Sequence, residues 1–175
     1  MCPYVIYVSY VFRFPDLYSS KTKFMDKLNF NIIIDAPREK VWNVLWKDAT
    51  YREWTSAFME GSHAISDFRK GSKVLFLGRE GNGMVSRVAD ARPPEFMSFE
   101  HLGEVKDGKE DTESEKVKAW AGSKENYTLK ALNDKTEVLI EMDIDAEYKD
   151  MFNQLWPKAL QKLKEVSERE VHAEA

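Results

Sequence analysis

An alternating strand followed directly by a long amphipathic helix occupies the C-terminal part of the chain, and this pair constrains the fold strongly. Val138, Ile140, Met142 and Ile144 recur at every second position, which predicts a strand with one buried face. Farther on, the apolar positions recur at spacings of three and four, as on one face of a helix: Tyr148, Met151, Phe152, Leu155, Trp156, Ala159, Leu160, Leu163 and Val166. Such a stripe needs a large apolar surface to cover it. We therefore look for function in the space between this helix and the rest of the chain.

The residues upstream of this pair predict one strand, two short helices and a series of strands. The first strand covers residues 28–34, and Pro37 then opens a helix because proline is tolerated in a first turn. Tyr51, Trp54 and Phe58 mark a second short helix. Six strand signals follow, at residues 63–68, 72–79, 83–91, 95–103, 124–132 and 136–144. Since most of the turns between them are short, we predict an antiparallel sheet and the α+β class.

Two irregular segments bear on a possible pocket. Residues 104–123 are rich in Glu, Asp and Lys and predict a long solvated loop. The apolar end of that loop, at Trp120, suggests a gate over a pocket mouth. Pro157 lies inside the long helix and predicts a bend near Trp156, because proline removes the hydrogen bond to the carbonyl of Asn153. A bent helix on a curved sheet packs imperfectly, and we expect a cavity between them.

The composition is that of one ordinary globular domain and argues against several function classes. The chain has 175 residues, of which 43% are hydrophobic and 32% are charged, enough for a core without disulfides. Cys2 is the single cysteine, so no internal disulfide is possible, and this fits a cytoplasmic location. A net charge of −4 argues against a nucleic-acid partner. No apolar run has the length of a membrane span.

Residues 1–24 differ in composition from the rest of the chain. Arg13 and Pro15 interrupt their apolar run, so they fit neither a membrane span nor a signal peptide. They are either an extra edge strand or an extension read from an upstream start codon. We favour the second interpretation because the foldable pattern begins immediately after Met25. The prediction is an extension at residues 1–24, one domain at residues 25–168 and a tail at residues 169–175.

Three short segments carry a resemblance to a known family. They are IDAPREKVW at residues 34–42, YREW at residues 51–54 and LWPKALQKL at residues 155–163. With these segments in this order and spacing, the chain resembles the START-like or SRPBCC superfamily. The resemblance is to the branch related to the C-terminal domain of the activator of Hsp90 ATPase. The resemblance implies a helix-grip fold, in which a curved seven-stranded antiparallel sheet wraps around the C-terminal helix and encloses an apolar ligand cavity. Members of the superfamily differ in activity, so the fold does not fix the function.

The sequence contains no pattern typical of a catalytic or metal site. It has no Gly-x-Ser-x-Gly motif, and a single terminal cysteine argues against thiol catalysis. His63, His101 and His172 are far apart, and none has a second ligand at metal-binding spacing. Gly78, Gly81 and Gly83 lie between strands and predict a hairpin. We therefore expect no catalytic residue, no metal and no cofactor.

Aromatic and polar-tipped side chains on the inward faces are the candidate ligand-binding residues. His101 shares a strand face with Met97 and Phe99, so its imidazole could orient a polar group of a ligand or act as a base. The full set is Trp54, Phe58, Phe76, Phe99, His101, Trp120, Tyr127, Tyr148, Phe152 and Trp156. The alternative is that these residues simply fill the core, and that His101 is an ordinary surface or strand-end histidine.

These observations lead to one functional hypothesis and two alternatives. We expect a cytoplasmic single-domain protein that binds a small hydrophobic or amphipathic ligand between the sheet and the C-terminal helix. The resemblance implies an alternative, regulation of an Hsp90-type chaperone ATPase, with a link to the stress response. The enzymatic alternative is a cyclase or hydrolase-like activity that uses His101 or a cavity tyrosine. It requires a converging acid–base pair, and the sequence pattern reveals none.

Overall fold

The computed structural model describes residues 25–169, and the extension and all but the first residue of the tail predicted above lie outside them. The strands are β1 Met25–Ile34, β2 His63–Ile65, β3 Lys73–Leu77, β4 Gly83–Arg92, β5 Phe96–Lys106, β6 Lys109–Asp111, β7 Lys124–Leu132 and β8 Lys135–Asp145. The helices are α1 Arg38–Trp46, α2 Asp48–Thr55, α3 Glu115–Lys118 and α4 Lys149–Arg169, and a 3₁₀ turn at Ala146–Tyr148 precedes α4.

The strands form one antiparallel sheet that packs against α4. The spatial order of the strands is β1-β8-β7-β5-β4-β3-β2, and the short strand β6 lies outside this order, paired with β5. Strand β1 pairs with β8 along its whole length, from Met25 opposite Asp145 to Ile34 opposite Thr136. Because the chain leaves β1 through α1 and α2, these two helices connect one edge of the sheet to the other. The predicted α+β class and helix-grip architecture are confirmed.

The segment predicted as a long loop is structured in part, so that prediction was wrong in its extent. Strand β5 continues to Lys106 and turns back into β6 through Asp107 and Gly108. Both turn residues have positive φ angles, 49° and 73°, which suits an Asp-Gly hairpin turn. The Ser114 side chain accepts a hydrogen bond from the Val117 N–H and caps the short helix α3.

Helix α4 buries the predicted apolar stripe against the sheet. Its buried residues are Phe152, Trp156, Ala159, Leu160, Leu163, Val166 and Ser167. The helix continues through the exposed Pro157. At its C-terminal end, Glu168 accepts a hydrogen bond from the Asp35 N–H at 2.7 Å, which fixes the helix to the joint between β1 and α1. No helix in the described part of the chain is both long and apolar enough to cross a membrane.

Candidate functional site

Aromatic side chains fill much of the interior between the sheet and α4. Ring contacts join seven of the predicted ligand-binding residues into one cluster: Trp54, Phe58, Phe76, Phe99, His101, Tyr127 and Trp156. The Trp156 ring centroid lies 5.0 Å from that of Phe58 and 6.2 Å from that of Tyr127. Edge-to-face pairs of this kind contribute about 0.5–1.5 kcal/mol beyond the burial of their area. The cluster therefore stabilises the interior in the absence of a ligand.

The other three predicted residues, Trp120, Tyr148 and Phe152, are also buried. Trp120 follows α3, Tyr148 ends the 3₁₀ turn, and Phe152 lies in the first turn of α4. Burial, together with the nearby carboxylates of Glu147 and Asp145, raises the pKa of the Tyr148 hydroxyl. All ten predicted residues thus face the interior, and their contact with a ligand stays a prediction.

A chain of polar side chains crosses the inner face of the sheet. The Ser86 Oγ and the His101 Nδ1 are hydrogen-bonded at 2.9 Å. The other ring nitrogen, Nε2, lies 3.6 Å from the Glu125 Oε2, and the Tyr127 hydroxyl donates a hydrogen bond to the same carboxylate. Ser86 lies on β4, His101 on β5, and Glu125 and Tyr127 on β7. All four residues are buried, and Ser86 and Glu125 are fully buried.

Among these four side chains, His101 and Glu125 form an acid–base pair that the sequence analysis missed. Glu125, Tyr127 and Leu129 alternate along β7 and are all buried, so the period of two already placed the carboxylate on the inner face. The sequence analysis predicted aromatic and polar-tipped side chains at the inward positions and did not include a carboxylate. Ser86, His101 and Glu125 resemble a nucleophile–base–acid series. The complete burial of Ser86 keeps substrate away from its hydroxyl in this conformation.

A groove with a volume of about 860 Å³ lies beside α1. One side is the exposed face of α1, and the other is formed by residues 67–69, Pro93 and Met97. Its complete lining is Pro37, Glu39, Lys40, Trp42, Asn43, Val44, Trp46, Lys47, Thr50, Asp67, Phe68, Arg69, Pro93 and Met97. None of the ten predicted ligand-binding residues is in this set. The tryptophans at i and i+4 of α1, Trp42 and Trp46, were the signal in the sequence that could have revealed it.

Trp46 connects the groove to the aromatic interior. Its ring centroid lies 4.9 Å from that of Tyr127 and 5.3 Å from those of Phe99 and Phe68. The indole Nε1 of Trp46 is buried and has no hydrogen-bond acceptor among residues 25–169. A buried donor without an acceptor costs about 1–3 kcal/mol. Within residues 25–169, the Trp46 indole N–H is thus a buried donor beside the groove that no acceptor satisfies.

Phe68 forms part of the opposite wall of the groove in a backbone conformation that is rare for its type. Its φ angle is 55°, in the left-handed region that a bulky side chain seldom adopts. The Ser66 Oγ accepts a hydrogen bond from the Phe68 N–H at 3.0 Å and holds this turn. The turn directs the Phe68 ring to within 5.3 Å of the Trp46 ring. Backbone strain of this kind occurs often at binding sites.

Charged side chains surround the apolar wall of the groove. Lys40, Lys47 and Arg69 contribute cations, and Glu39 and Asp67 contribute carboxylates. Arg69 Nε lies 3.9 Å from an oxygen of Asp67. A hydrogen bond from the Ser72 side chain, with the backbone N–H and charge of Arg69, lowers the pKa of Asp67. Asp67 is therefore ionised at neutral pH and pairs with a cation of the same wall.

The described residues contain no group of three or more His, Cys, Asp or Glu side chains arranged to hold a metal ion. The groove beside α1 and the buried polar chain are features from which a functional site can be built.

The sequence matches a family described as "Activator of Hsp90 ATPase homolog 1-like protein" over residues 35–168. This match confirms the resemblance inferred from the three short segments. No curated protein matches the sequence.

Solved structures with the same fold come from several bacteria. The Aha1 dimer from Colwellia psychrerythraea is 19% identical, with a TM-score of 0.64 over 82% of this chain and 97% of that chain. Protein MLL2253 from Mesorhizobium loti is 16% identical, with a TM-score of 0.63 over 82% and 98% of the two chains. Protein NE0264 from Nitrosomonas europaea is 13% identical, with a TM-score of 0.62 over 83% and 96%. At these identities, the similarity establishes the fold alone.

Proposed function

The chain belongs to the activator of Hsp90 ATPase homolog 1-like family, and within it we propose that this protein binds a small amphipathic molecule in the groove beside α1. One observation carries the proposal: the groove has an aromatic wall, formed by Trp42, Trp46 and Phe68, that is continuous with the packed interior. Small-molecule sites are typically concave and mostly apolar, with a few polar groups at defined positions.

The size and chemistry of the groove support this function. A volume of about 860 Å³ lies within the range of roughly 300–1,000 Å³ typical of ligand pockets. The polar groups are the indole N–H of Trp46, which has no acceptor within residues 25–169, and the charged side chains that line the groove. The left-handed Phe68 adds a strained position at the same wall. These features coincide at one place on the molecule.

The residues predicted from the sequence form the region behind this wall. Phe99 and Tyr127 contact Trp46 directly and are the nearest of the ten to the groove. We propose that they support the position of the Trp46 ring when a ligand binds. His101 and Glu125 lie outside the groove lining, so we propose a binding function and assign them no catalytic step. A cytoplasmic location remains part of the proposal, based on the single cysteine.

The experiment uses the full chain and a neutral apolar fluorophore, N-phenyl-1-naphthylamine. We expect saturable binding of one probe per chain. Trp42→Glu places a charge on the groove wall and removes part of the apolar contact. Loss of about 80 Å² of apolar contact at roughly 25 cal/mol per Å² weakens binding by about thirtyfold. Ile65→Glu is the matched control, because Ile65 is exposed and lies outside the groove.

The result that contradicts this function is the absence of saturable binding, or equal binding by both variants and the parent chain. Circular dichroism of each variant establishes that the fold is retained. In the absence of binding, regulation of a chaperone ATPase, for which the family description is the support, becomes the function to test by ATPase stimulation.

A further inference from the structure

We propose that the groove selects amphipathic molecules that carry a carboxylate. The apolar body of the ligand lies on Trp42, Trp46 and Phe68, and its carboxylate lies near Lys40 and Lys47. This inference rests on the proposed function, since it names the chemical class bound at the same site. Three independent observations on residues 25–169 support it: two lysines without an ion pair, an aspartate that pairs with an arginine of its own wall, and a buried donor without an acceptor.

Two lysines on the α1 side of the groove are positioned to contact an anionic ligand. Lys40 and Lys47 both line the groove, and neither forms an ion pair with any residue in the range 25–169. Lys40 lies within α1, whereas Lys47 is the C-cap residue that follows Trp46 in an extended conformation, and both side chains line the groove from this side. Lys40 is half-buried, which strengthens its interaction with an anion relative to that of a fully exposed lysine.

The carboxylates of the groove do not neutralise these two lysines. Asp67 pairs with Arg69 on the opposite wall. Glu39 is exposed and adjacent to Lys40 in sequence, so its side chain leaves the helix about 100° away from that of Lys40. The five charged residues of the lining carry one net positive charge, in a chain whose net charge is −4. This local excess favours an anionic ligand.

The indole N–H of Trp46 requires an acceptor that the described residues do not provide. Trp46 is 9% exposed and lines the groove. An oxygen atom of a bound ligand would accept this hydrogen bond once the Trp46 ring turns to bring its buried Nε1 to the groove, and would then remove the cost of an unsatisfied donor. A hydrocarbon would leave the cost in place. The donor therefore favours ligands with oxygen near the apolar wall, which a carboxylic acid provides.

The experiment compares dodecanoic acid with its methyl ester as competitors of N-phenyl-1-naphthylamine on the full chain. The two compounds have the same apolar chain and differ in charge. We expect the acid to bind about tenfold more tightly than the ester, the magnitude typical of one charge-assisted interaction. The double variant Lys40→Gln/Lys47→Gln should lose this preference. The matched control is Lys109→Gln/Lys130→Gln, which should retain it because both lysines are exposed and line neither this groove nor the smaller one beside Pro157.

Trp46→Phe tests the donor, since phenylalanine keeps an aromatic ring and removes the N–H. We expect it to weaken binding of the acid severalfold and to leave binding of the neutral probe nearly unchanged. If this variant fails to fold, the indole ¹H–¹⁵N resonance of Trp46 in the parent chain gives the same information. It should shift when the acid binds.

Each outcome separates this inference from the proposed function. Equal affinity for acid and ester, or a preference for the acid that survives Lys40→Gln/Lys47→Gln, overturns carboxylate selection while the groove remains a binding site. An unchanged affinity for the acid in Trp46→Phe overturns the role of the indole donor. Failure of acid, ester and neutral probe alike removes the proposed function itself.

Discussion

Replacement of Glu125 by leucine is expected to lower the free energy of unfolding by about 2–6 kcal/mol, because two buried polar groups each lose a contact with its carboxylate. The structure leads to this magnitude directly. Glu125 is fully buried, accepts a hydrogen bond from the Tyr127 hydroxyl and lies 3.6 Å from the His101 Nε2. Each buried polar group that loses its partner costs about 1–3 kcal/mol, and leucine affects both at once.

Two further variants separate lost polar contacts from altered packing. Glu125→Gln keeps an oxygen that accepts from the Tyr127 hydroxyl, so it should cost only about 1–2 kcal/mol. In the background His101→Leu/Tyr127→Phe, two polar contacts of the Glu125 carboxylate are already removed. Glu125→Leu should therefore lower the free energy of unfolding by less in that background than in the parent chain.

Urea unfolding followed by tryptophan fluorescence measures these free energies. If Glu125→Leu lowers the free energy of unfolding by less than about 1 kcal/mol, Glu125 behaves as a solvated carboxylate and its assignment to a buried polar network is refuted. A cost that is the same in both backgrounds would refute the coupling between Glu125 and its neighbours.

Three other perturbations test separate parts of the structure. Tyr148 has a raised pKa in the folded state, so its contribution to stability should be fully present below pH 10, the ordinary pKa of tyrosine, and should decline above it. In Tyr148→Phe this decline should be smaller. A pH profile of stability that is the same in the variant and the parent chain argues against the assignment. Gly83→Ala would place its Cβ 1.9 Å from the Phe76 carbonyl oxygen and should cost about 2 kcal/mol or more in urea unfolding, whereas a neutral effect would contradict the register of β3 and β4. Pro157→Ala restores an N–H donor in the exposed face of α4 and should raise the thermal midpoint, gaining about 1–3 kcal/mol. An unchanged midpoint would show that the helix accommodates proline without cost, and a lowered one would show that proline stabilises it.

The elements with strong local periodicity were predictable from the sequence. The stripe on α4 and the alternation in β8 were visible because spacing along the chain alone determines which residues share a face. The hairpin between β5 and β6 was missed because its charged composition indicated a loop. Its Asp107-Gly108 turn was the signal, since both positions adopt positive φ angles.

The candidate site was predictable only in part. The sequence identified inward aromatic residues on several strands, and the structure buries all ten. It did not reveal the groove, because Trp46, Phe68 and Met97 come from distant parts of the chain and meet only in the folded protein. It also missed Glu125, because a buried carboxylate contradicts the expectation that inward positions are apolar.

Binding in the groove is tested most directly by the indole ¹H–¹⁵N resonances of the five tryptophans, recorded with and without dodecanoic acid. Trp42 and Trp46 line the groove, whereas Trp54, Trp120 and Trp156 lie in the interior. Trp→Phe variants assign the signals. We predict large, saturable shifts at Trp42 and Trp46 and small ones at the other three. Shifts confined to Trp54 and Trp156 would place the ligand between the sheet and α4 and would contradict the groove as the binding site.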